Sequence, residues 1–455
     1  MFEGFDTITM VLFLVCFLAV CVFEFVNGFH DTANAVATVI YTKTLKPTYA
    51  VIWSGAWNFL GVLLGTGVAM SILKLIPLAD MSSLPISDTI ALVFAMLMTA
   101  IAWNLGTWYF GIPCSSSHTL IGSLLGGGIM FNYLHPGGDG VDWAKASEIG
   151  LALVISPMFG FSAAILLMYI MRQALNKEQR TEIFKEPTEE SKPPLWIRGI
   201  LIATCTLVSY FHGSNDGQKG IALMLVVLIS FRPVDYALGT HFATDVATQK
   251  IELVQKELEG KSKKIDEKAA ELNEAITIYQ TTKDRKSVME VRKHITKYSK
   301  EVTNYMKLNG GELSKDSKHN VEKNIKGLKK HIEDAPYWVS IVVALCLGLG
   351  TTIGWKRIVV TIGEKIGKRH MTYAEGAAAE LMAASTIGLS TGFGLPVSTT
   401  HVLSSGIAGS MVASKGVKNL QSGTVKSIVL AWVLTLPVTI IGAASLYWIF
   451  YKLFI

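Results

Sequence analysis

The chain has 455 residues, of which 50% are hydrophobic and 17% charged, with a formal net charge of +6. Soluble domains carry about 25% charged residues and stop enlarging a single core beyond about 250–300 residues, whereas the stretches 11–26, 90–103 and 149–170 hold almost no charge; a soluble fold is excluded and an integral membrane protein is expected. The positive charges sit mostly in loops, which reads as membrane topology with a lipid bilayer as partner and no nucleic acid.

A run of about 20 apolar residues crosses the hydrocarbon core as a helix. Residues 1–6 carry Glu3 and Asp6 and no basic residue, unlike a secretory leader, so the first apolar run is expected to stay as a span. Apolar segments near 9–40, 50–74, 86–110, 112–131 and 149–171 predict the helices of a first transmembrane repeat, 1–171. The first is interrupted by Asn27-Gly28-Phe29-His30-Asp31, and the fourth opens with Pro113-Cys114-Ser115-Ser116-Ser117-His118. The linker 172–197 carries Arg172, Lys177, Arg180, Lys185 and Lys192, which places it in the cytoplasm by the positive-inside rule. A second repeat starts with 198–231, which contains His212-Gly213-Ser214-Asn215-Asp216. The polar insertion 232–335, with mixed charges and scattered Leu, Ile and Tyr, predicts amphipathic helices of a small soluble domain; both a regulatory role and a plain solvated appendage are open. The second repeat resumes over 336–455, with apolar segments near 336–356, 371–393, 395–413 and 425–451. Lys356, Arg357, Lys365, Lys368 and Arg369 place 355–370 in the cytoplasm. The fold class is thus all-α integral membrane, with about 10–12 membrane segments and a soluble helical insertion.

The two halves match. Gly28-Phe29-His30-Asp31-Thr32-Ala33-Asn34-Ala35 pairs with Gly213-Ser214-Asn215-Asp216-Gly217-Gln218-Lys219-Gly220, and Phe110-Gly111-Ile112-Pro113 with Phe393-Gly394-Leu395-Pro396. Each Pro leads into hydroxyls and a histidine: Ser115, Ser116, Ser117 and His118, then Ser398, Thr399, Thr400 and His401. An odd number of segments per half makes the repeats inverted. Gly/Pro-interrupted apolar segments at corresponding places in two halves point to a transporter's binding site.

A charged residue at the bilayer centre costs about 2.5–3.5 kcal/mol, so Asp31 and Asp216 are candidates for binding a cation or a proton, as well as for capping a half-helix. Breaks at these two residues would free backbone groups for ions. Hydroxyls with free N–H groups at a helix N-terminus suit an oxyanion; simple capping is the plainer role. His118 and His401 read either as packed histidines or as proton carriers. Glu380 is an intramembrane acid fit for a cation or a proton. Asn58 and Asn104 read equally as packing residues or as site lining. No phosphate-binding nucleotide loop, zincin helix or nucleophile elbow occurs, so no enzyme and no ATP-driven pump is expected. The five cysteines fit no zinc or disulfide spacing, and no resident metal or cofactor is expected.

On these motifs the sequence resembles the inorganic phosphate transporter (PiT) family, whose hallmark is the duplicated motif at 28–35 and 213–220 with Pro-hydroxyl segments at 111–118 and 394–401. Within it the chain looks like the bacterial low-affinity Pit transporters. The resemblance implies two inverted repeats with broken helices, re-entrant hairpins carrying the Pro-hydroxyl segments, and a multi-pass place in the cell's inner (plasma) membrane. It implies symport of inorganic phosphate with protons, the phosphate travelling largely as a neutral complex with a divalent metal. Asn34, Ser115, Ser116, Ser117, Gln218, Ser398, Thr399 and Thr400 fall on its phosphate-binding segments, and Asp31, Asp216 and Glu380 on its ion-coupling positions. His30 stands where the first motif usually has Asn, and Lys219 where the second has its later Asn. Both departures speak against sodium. Lys219 reads as a tethered cation that also attracts phosphate, or as a snorkelling lysine, and His30 as a proton carrier. Sodium coupling, sulfate transport and a membrane phosphate sensor are the alternatives, and a homo-oligomer is left open.

Overall fold

A computed structural model of the chain describes residues 6–65, 68–73, 75, 85–137, 141–188, 193–239 and 242–454. Its regular elements are helices. They begin with α1 (Thr7–Asp31), α2 (Ala33–Tyr41), α3 (Pro47–Leu64), α4 (Val68–Leu73), α5 (Ile86–Tyr109), α6 (Ser116–Leu134), α7 (Trp143–Ala174), α8 (Lys177–Ile183) and α9 (Leu195–Phe231). Then follow α10 (Pro233–Tyr236), α11 (Thr244–Glu257), α12 (Lys263–Thr282), α13 (Arg285–Asn309) and α14 (Lys315–Glu333). The last are α15 (Tyr337–Thr352), α16 (Lys356–Glu364), α17 (Tyr373–Gly392), α18 (Thr399–Lys415) and α19 (Ser422–Phe454).

The chain divides into two compact units. One comprises residues 77–89 and 225–336. Its helices are amphipathic: α11 packs on α14 and α12 on α13, burying Ile251, Val254, Leu272, Ile276, Ile295 and Leu328. Polar residues define its helix starts, as where Asp284 and Ser287 form a reciprocal cap at α13. Arg292 is buried here, its Nη1 donating to the Ala237 carbonyl at 2.6 Å, and desolvation pulls its guanidinium down to about 10.

The other unit comprises 1–76, 90–224 and 337–455. Among the described residues five helices are long and apolar enough to cross a membrane: Thr7–Tyr41, Ile86–Tyr109, Trp143–Ala174, Leu195–Phe231 and Ser422–Leu453. The other apolar segments form α3, α6, α15, α17 and α18, of 16 to 20 residues. Packing is reciprocal between the halves: α6 lies on α19, and α18 on α7. Small residues allow these approaches. A Cβ on Gly126 would sit 2.1 Å from the Ile440 carbonyl oxygen, and one on Gly409 2.4 Å from that of Phe161.

Two sequence expectations need correction. The first motif is not unwound: α1 and α2 are parted by Thr32 alone, which keeps right-handed helical torsions of φ −51°, ψ −38°. The second is not interrupted at all, since α9 runs unbroken for 37 residues through Asp216. The glycines that suggested unwinding serve contact instead. A Cβ on Gly213 would lie 2.2 Å from the Asn58 carbonyl oxygen, and one on Gly217 2.3 Å from Val62 Cγ2.

Candidate functional site

The two Pro-hydroxyl segments are built alike. Gly111 and Gly394 each adopt φ +67°, a left-handed conformation that glycine takes without a Cβ penalty. Each closes the preceding helix with the same bond, Ile112 N–H to the Thr107 carbonyl and Leu395 N–H to the Ser390 carbonyl, both 2.9 Å. The chain then extends through Pro113 or Pro396 and re-enters a helix capped by Ser115 or Ser398. Ser115 Oγ accepts from His118 N–H at 3.1 Å and Ser398 Oγ from His401 N–H at 3.1 Å. The following hydroxyls face inward and are buried.

Those hydroxyls meet the two aspartates. Ser116 Oγ donates to Asp31 Oδ2 at 2.8 Å and lies 3.4 Å from Asp216 Oδ2, so one hydroxyl from the first half joins the acids of both. Thr400 Oγ1, from the second half, donates to Asp31 Oδ1 at 2.5 Å. Asn34 Nδ2 donates to Asp31 Oδ1 (3.2 Å), Thr399 Oγ1 (3.2 Å) and Thr400 Oγ1 (3.1 Å). At the matching place in α9, Lys219 Nζ is 2.8 Å from Asp216 Oδ1 and donates to Ser117 Oγ at 2.5 Å. Ser117 Oγ in turn donates to the Val397 carbonyl of the opposite segment at 2.7 Å.

His212 completes the cluster. Its Nδ1 is 2.9 Å from Asn58 Oδ1, and Asn58 Nδ2 donates to Thr351 Oγ1 at 2.9 Å, which makes Oδ1 the acceptor and Nδ1 the protonated nitrogen. Nε2 then faces Asp216 Oδ2 at 3.5 Å and Asp31 Oδ2 at 3.8 Å. As a lone pair it suits a cation held between the carboxylates; as a second N–H it supplies the cation itself. The ligand atoms of Asp31, His212 and Asp216 lie within 4.8 Å of one another, a donor set that could hold a metal ion.

A buried cluster that joins two acids, an ammonium and the hydroxyls of two helix starts is chemistry for a small oxyanion with its counter-charges. The model of the phosphate transporter family matches residues 27–443. The chain belongs to the phosphate transporter family. Among its relatives in that family, the low-affinity inorganic phosphate transporter PitB of Escherichia coli (strain K12) is 38% identical over 99% of this chain and 98% of its own. A probable low-affinity inorganic phosphate transporter of Bacillus subtilis (strain 168) is 31% identical over 98% of both chains. These relatives are transporters by name, in line with the expectation of a non-enzyme. The fold also resembles a solved structure described as the sodium-dependent phosphate transporter, with a TM-score of 0.57 at 19% identity, covering 98% of this chain and 100% of that one.

Of the residues singled out on the family's motifs, Asp31, Asn34, Ser116, Ser117, Asp216, Lys219, Thr399 and Thr400 come together. Ser115 and Ser398 are occupied as caps. Gln218 turns to the Gly65 carbonyl, donating at 2.9 Å. Glu380 is buried elsewhere, held by the hydroxyl of Thr38 and by that of Thr204 at 2.5 Å. His30 lies 3.6 Å from Asp31 through Nδ1 and 3.3 Å from Thr107 Oγ1 through Nε2. Its counterpart Asn215 donates to Thr391 Oγ1 at 3.1 Å, so both residues brace the helix that leads into a Pro-hydroxyl segment. The rings of His118 and His401 lie against each other at a tilt of 34°, with centroids 4.5 Å apart. Sequence reasoning passed over His212, although its place four residues before Asp216 puts it on the same helix face. It also passed over Glu24, a lone acid inside an apolar run.

Proposed function

We propose that the chain carries inorganic phosphate across the cell's inner membrane as a secondary transporter, in symport with protons. The observation that carries the reading is Lys219, fully buried, paired with Asp216 and bonded to Ser117. A divalent oxyanion brought beside two carboxylates needs positive charge nearby. An ammonium fixed at this place supplies one such charge and takes up room that a mobile sodium ion would need. Protons supply the rest. Phosphate oxygens would replace the acceptors now used by Ser116, Ser117, Asn34 and Thr400, and Thr399, which now accepts from Asn34, would turn its hydroxyl to donate.

Two inverted repeats fit the reciprocal packing of α6 on α19 and α18 on α7, with the α5–α6 and α17–α18 turns as re-entrant hairpins. Phosphate can enter as a neutral complex with a divalent cation, because Asp31, His212 and Asp216 offer that cation ligands beside the hydroxyls.

Uptake of labelled phosphate into vesicles, with choline replacing sodium and an imposed inward proton gradient, tests the reading. Accumulation without sodium that grows with the gradient supports it, and strict sodium dependence overturns it. Uptake that rises with Mg²⁺ and is matched by Mg²⁺ entry supports the metal complex; phosphate entry without metal removes that part.

A further inference from the structure

Glu24 is fully buried on α1, two turns before Asp31. Its Oε1 has no hydrogen-bond partner among the described residues, and its Oε2 receives only a long contact from Asn27 Nδ2 at 3.4 Å. An ionised carboxylate has room for about four donors, and a buried one left unpaired is costly. The other buried acids of this unit are engaged. Asp31 accepts three donors, Asp216 has the ammonium, Glu380 has two hydroxyls, and Glu375 accepts the Thr372 N–H in the cap of α17 at 2.8 Å.

The neighbour of Glu24 is the segment that carries Lys219. A Cβ on Gly220 would sit 2.4 Å from Glu24 Cγ and 2.6 Å from Oε1, so the carboxyl lies on the bare backbone of the residue after the lysine. On α9 the charged groups in its reach are Lys219 and Asp216; on α15 the titratable neighbour is Cys346, and on its own helix Cys21.

We propose that Glu24 carries the proton that accompanies phosphate, with Lys219 as the switch between them. This rests on the proton-symport reading above. While Lys219 is engaged by phosphate, Glu24 holds its proton as a neutral acid. When phosphate leaves, the charge of Lys219, still paired with Asp216, is no longer offset by the anion, and its field stabilises a carboxylate at Glu24. The Oε–H bond then breaks, the proton passes to water on the side to which the site is open, and the carboxylate remains. On the outer side a hydronium ion gives a proton to the carboxylate, re-forming the O–H bond and leaving water, as the next phosphate arrives. Glycine at 220 lets the carboxyl lie against the backbone beside Lys219, where a Cβ would collide with it.

The test uses the full chain in proteoliposomes. Glu24→Gln keeps the shape and removes the acid. The variant is expected to exchange labelled phosphate across equal concentrations within about threefold of the unmodified protein, because exchange needs no net proton movement. It is expected to lose at least tenfold of the accumulation driven by an inward proton gradient in choline medium. Gradient-driven accumulation equal to that of the unmodified protein overturns the proposal, as does a parallel loss of exchange and accumulation in a well-folded variant. Should the amide fold poorly, Glu24→Asp keeps an acid on a shorter arm: a shifted pH profile of accumulation supports the proposal and an unshifted one overturns it. Sodium dependence of the unmodified protein is a separate outcome, which sinks the symport reading and this proposal with it.

Discussion

The two matching motifs occupy equivalent places and do different chemistry. Three residues after Asp31 stands Asn34, and three after Asp216 stands Lys219. Each bonds its own aspartate and reaches across to the Pro-hydroxyl segment of the other half, Asn34 to Thr399 and Thr400, Lys219 to Ser117. One link is a neutral amide and the other an ammonium. Asp31 is therefore satisfied by hydroxyl and amide donors, while Asp216 is satisfied by charge. The two motifs share their geometry, and a single residue makes the electrostatics of the site lopsided.

The largest effect should come from removing that asymmetry. Lys219→Met leaves Asp216 as a buried carboxylate without its cation, a loss of about 3–5 kcal/mol for a broken buried pair. Phosphate exchange in proteoliposomes should fall at least a hundredfold, and the melting temperature in detergent should drop. Adding Asp216→Asn should restore the melting temperature without restoring exchange. Asn34→Ala, the matching change in the first half, removes a neutral donor to a charged acceptor and should cost less, about 1.5–3 kcal/mol. Equal damage from Asn34→Ala and Lys219→Met would break the comparison.

Next come the hydroxyls on Asp31. Ser116→Ala and Thr400→Ala each delete a donor to a charged acceptor, worth about 1.5–3 kcal/mol. Each should weaken phosphate binding by about one to two orders of magnitude, measured by competition in exchange. If only one of the two matters, phosphate is held by one half rather than shared.

These contrasts show what the sequence could and could not convey. The membrane helices were legible because apolar runs bounded by charged loops have few other solutions. The pairing of the halves was legible from Asp31 with Asp216 and from Pro113 with Pro396. The state of the helix at Asp216 was not, because glycine has two uses that look the same in sequence. It can relax the backbone, or it can let another backbone come close, and at Gly213 and Gly217 only the second applies. The direction of Gln218 was equally hidden: on a helix buried all round, spacing alone does not tell which neighbour a side chain meets. Glu24 escaped notice because one acid barely disturbs a long apolar run.

Gly213→Ala sharpens the comparison of the two motifs as helices. The new methyl would press on the Asn58 backbone and disturb the Asn58–His212 bond, at a cost of about 1–3 kcal/mol for overpacking. The melting temperature should fall while the alternative, an unwound segment with room for a side chain, would leave it unchanged.

The smallest effects should come from the caps, and they separate the two roles that hydroxyls play in this protein. Ser115 and Ser398 begin the same Pro-hydroxyl segments as Ser116 and Thr400, one or two residues away, and on sequence alone all of them are equal candidates for phosphate. Their bonds differ. Ser115 and Ser398 spend their oxygens on the N–H groups of His118 and His401 at the first turns of α6 and α18. Loss of such a cap costs about 1 kcal/mol of helix stability and leaves the donors around Asp31 in place. Ser115→Ala and Ser398→Ala should therefore lower the melting temperature slightly and leave phosphate affinity within about twofold. Ser115 also lies 2.8 Å from His118 Nδ1, a bond that Ser398 does not share with its own histidine, so Ser115→Ala should be the more destabilising of the two. An affinity loss as large as that of Ser116→Ala would move the capping serines into the phosphate site and show that α6 and α18 loosen their first turns when the substrate binds.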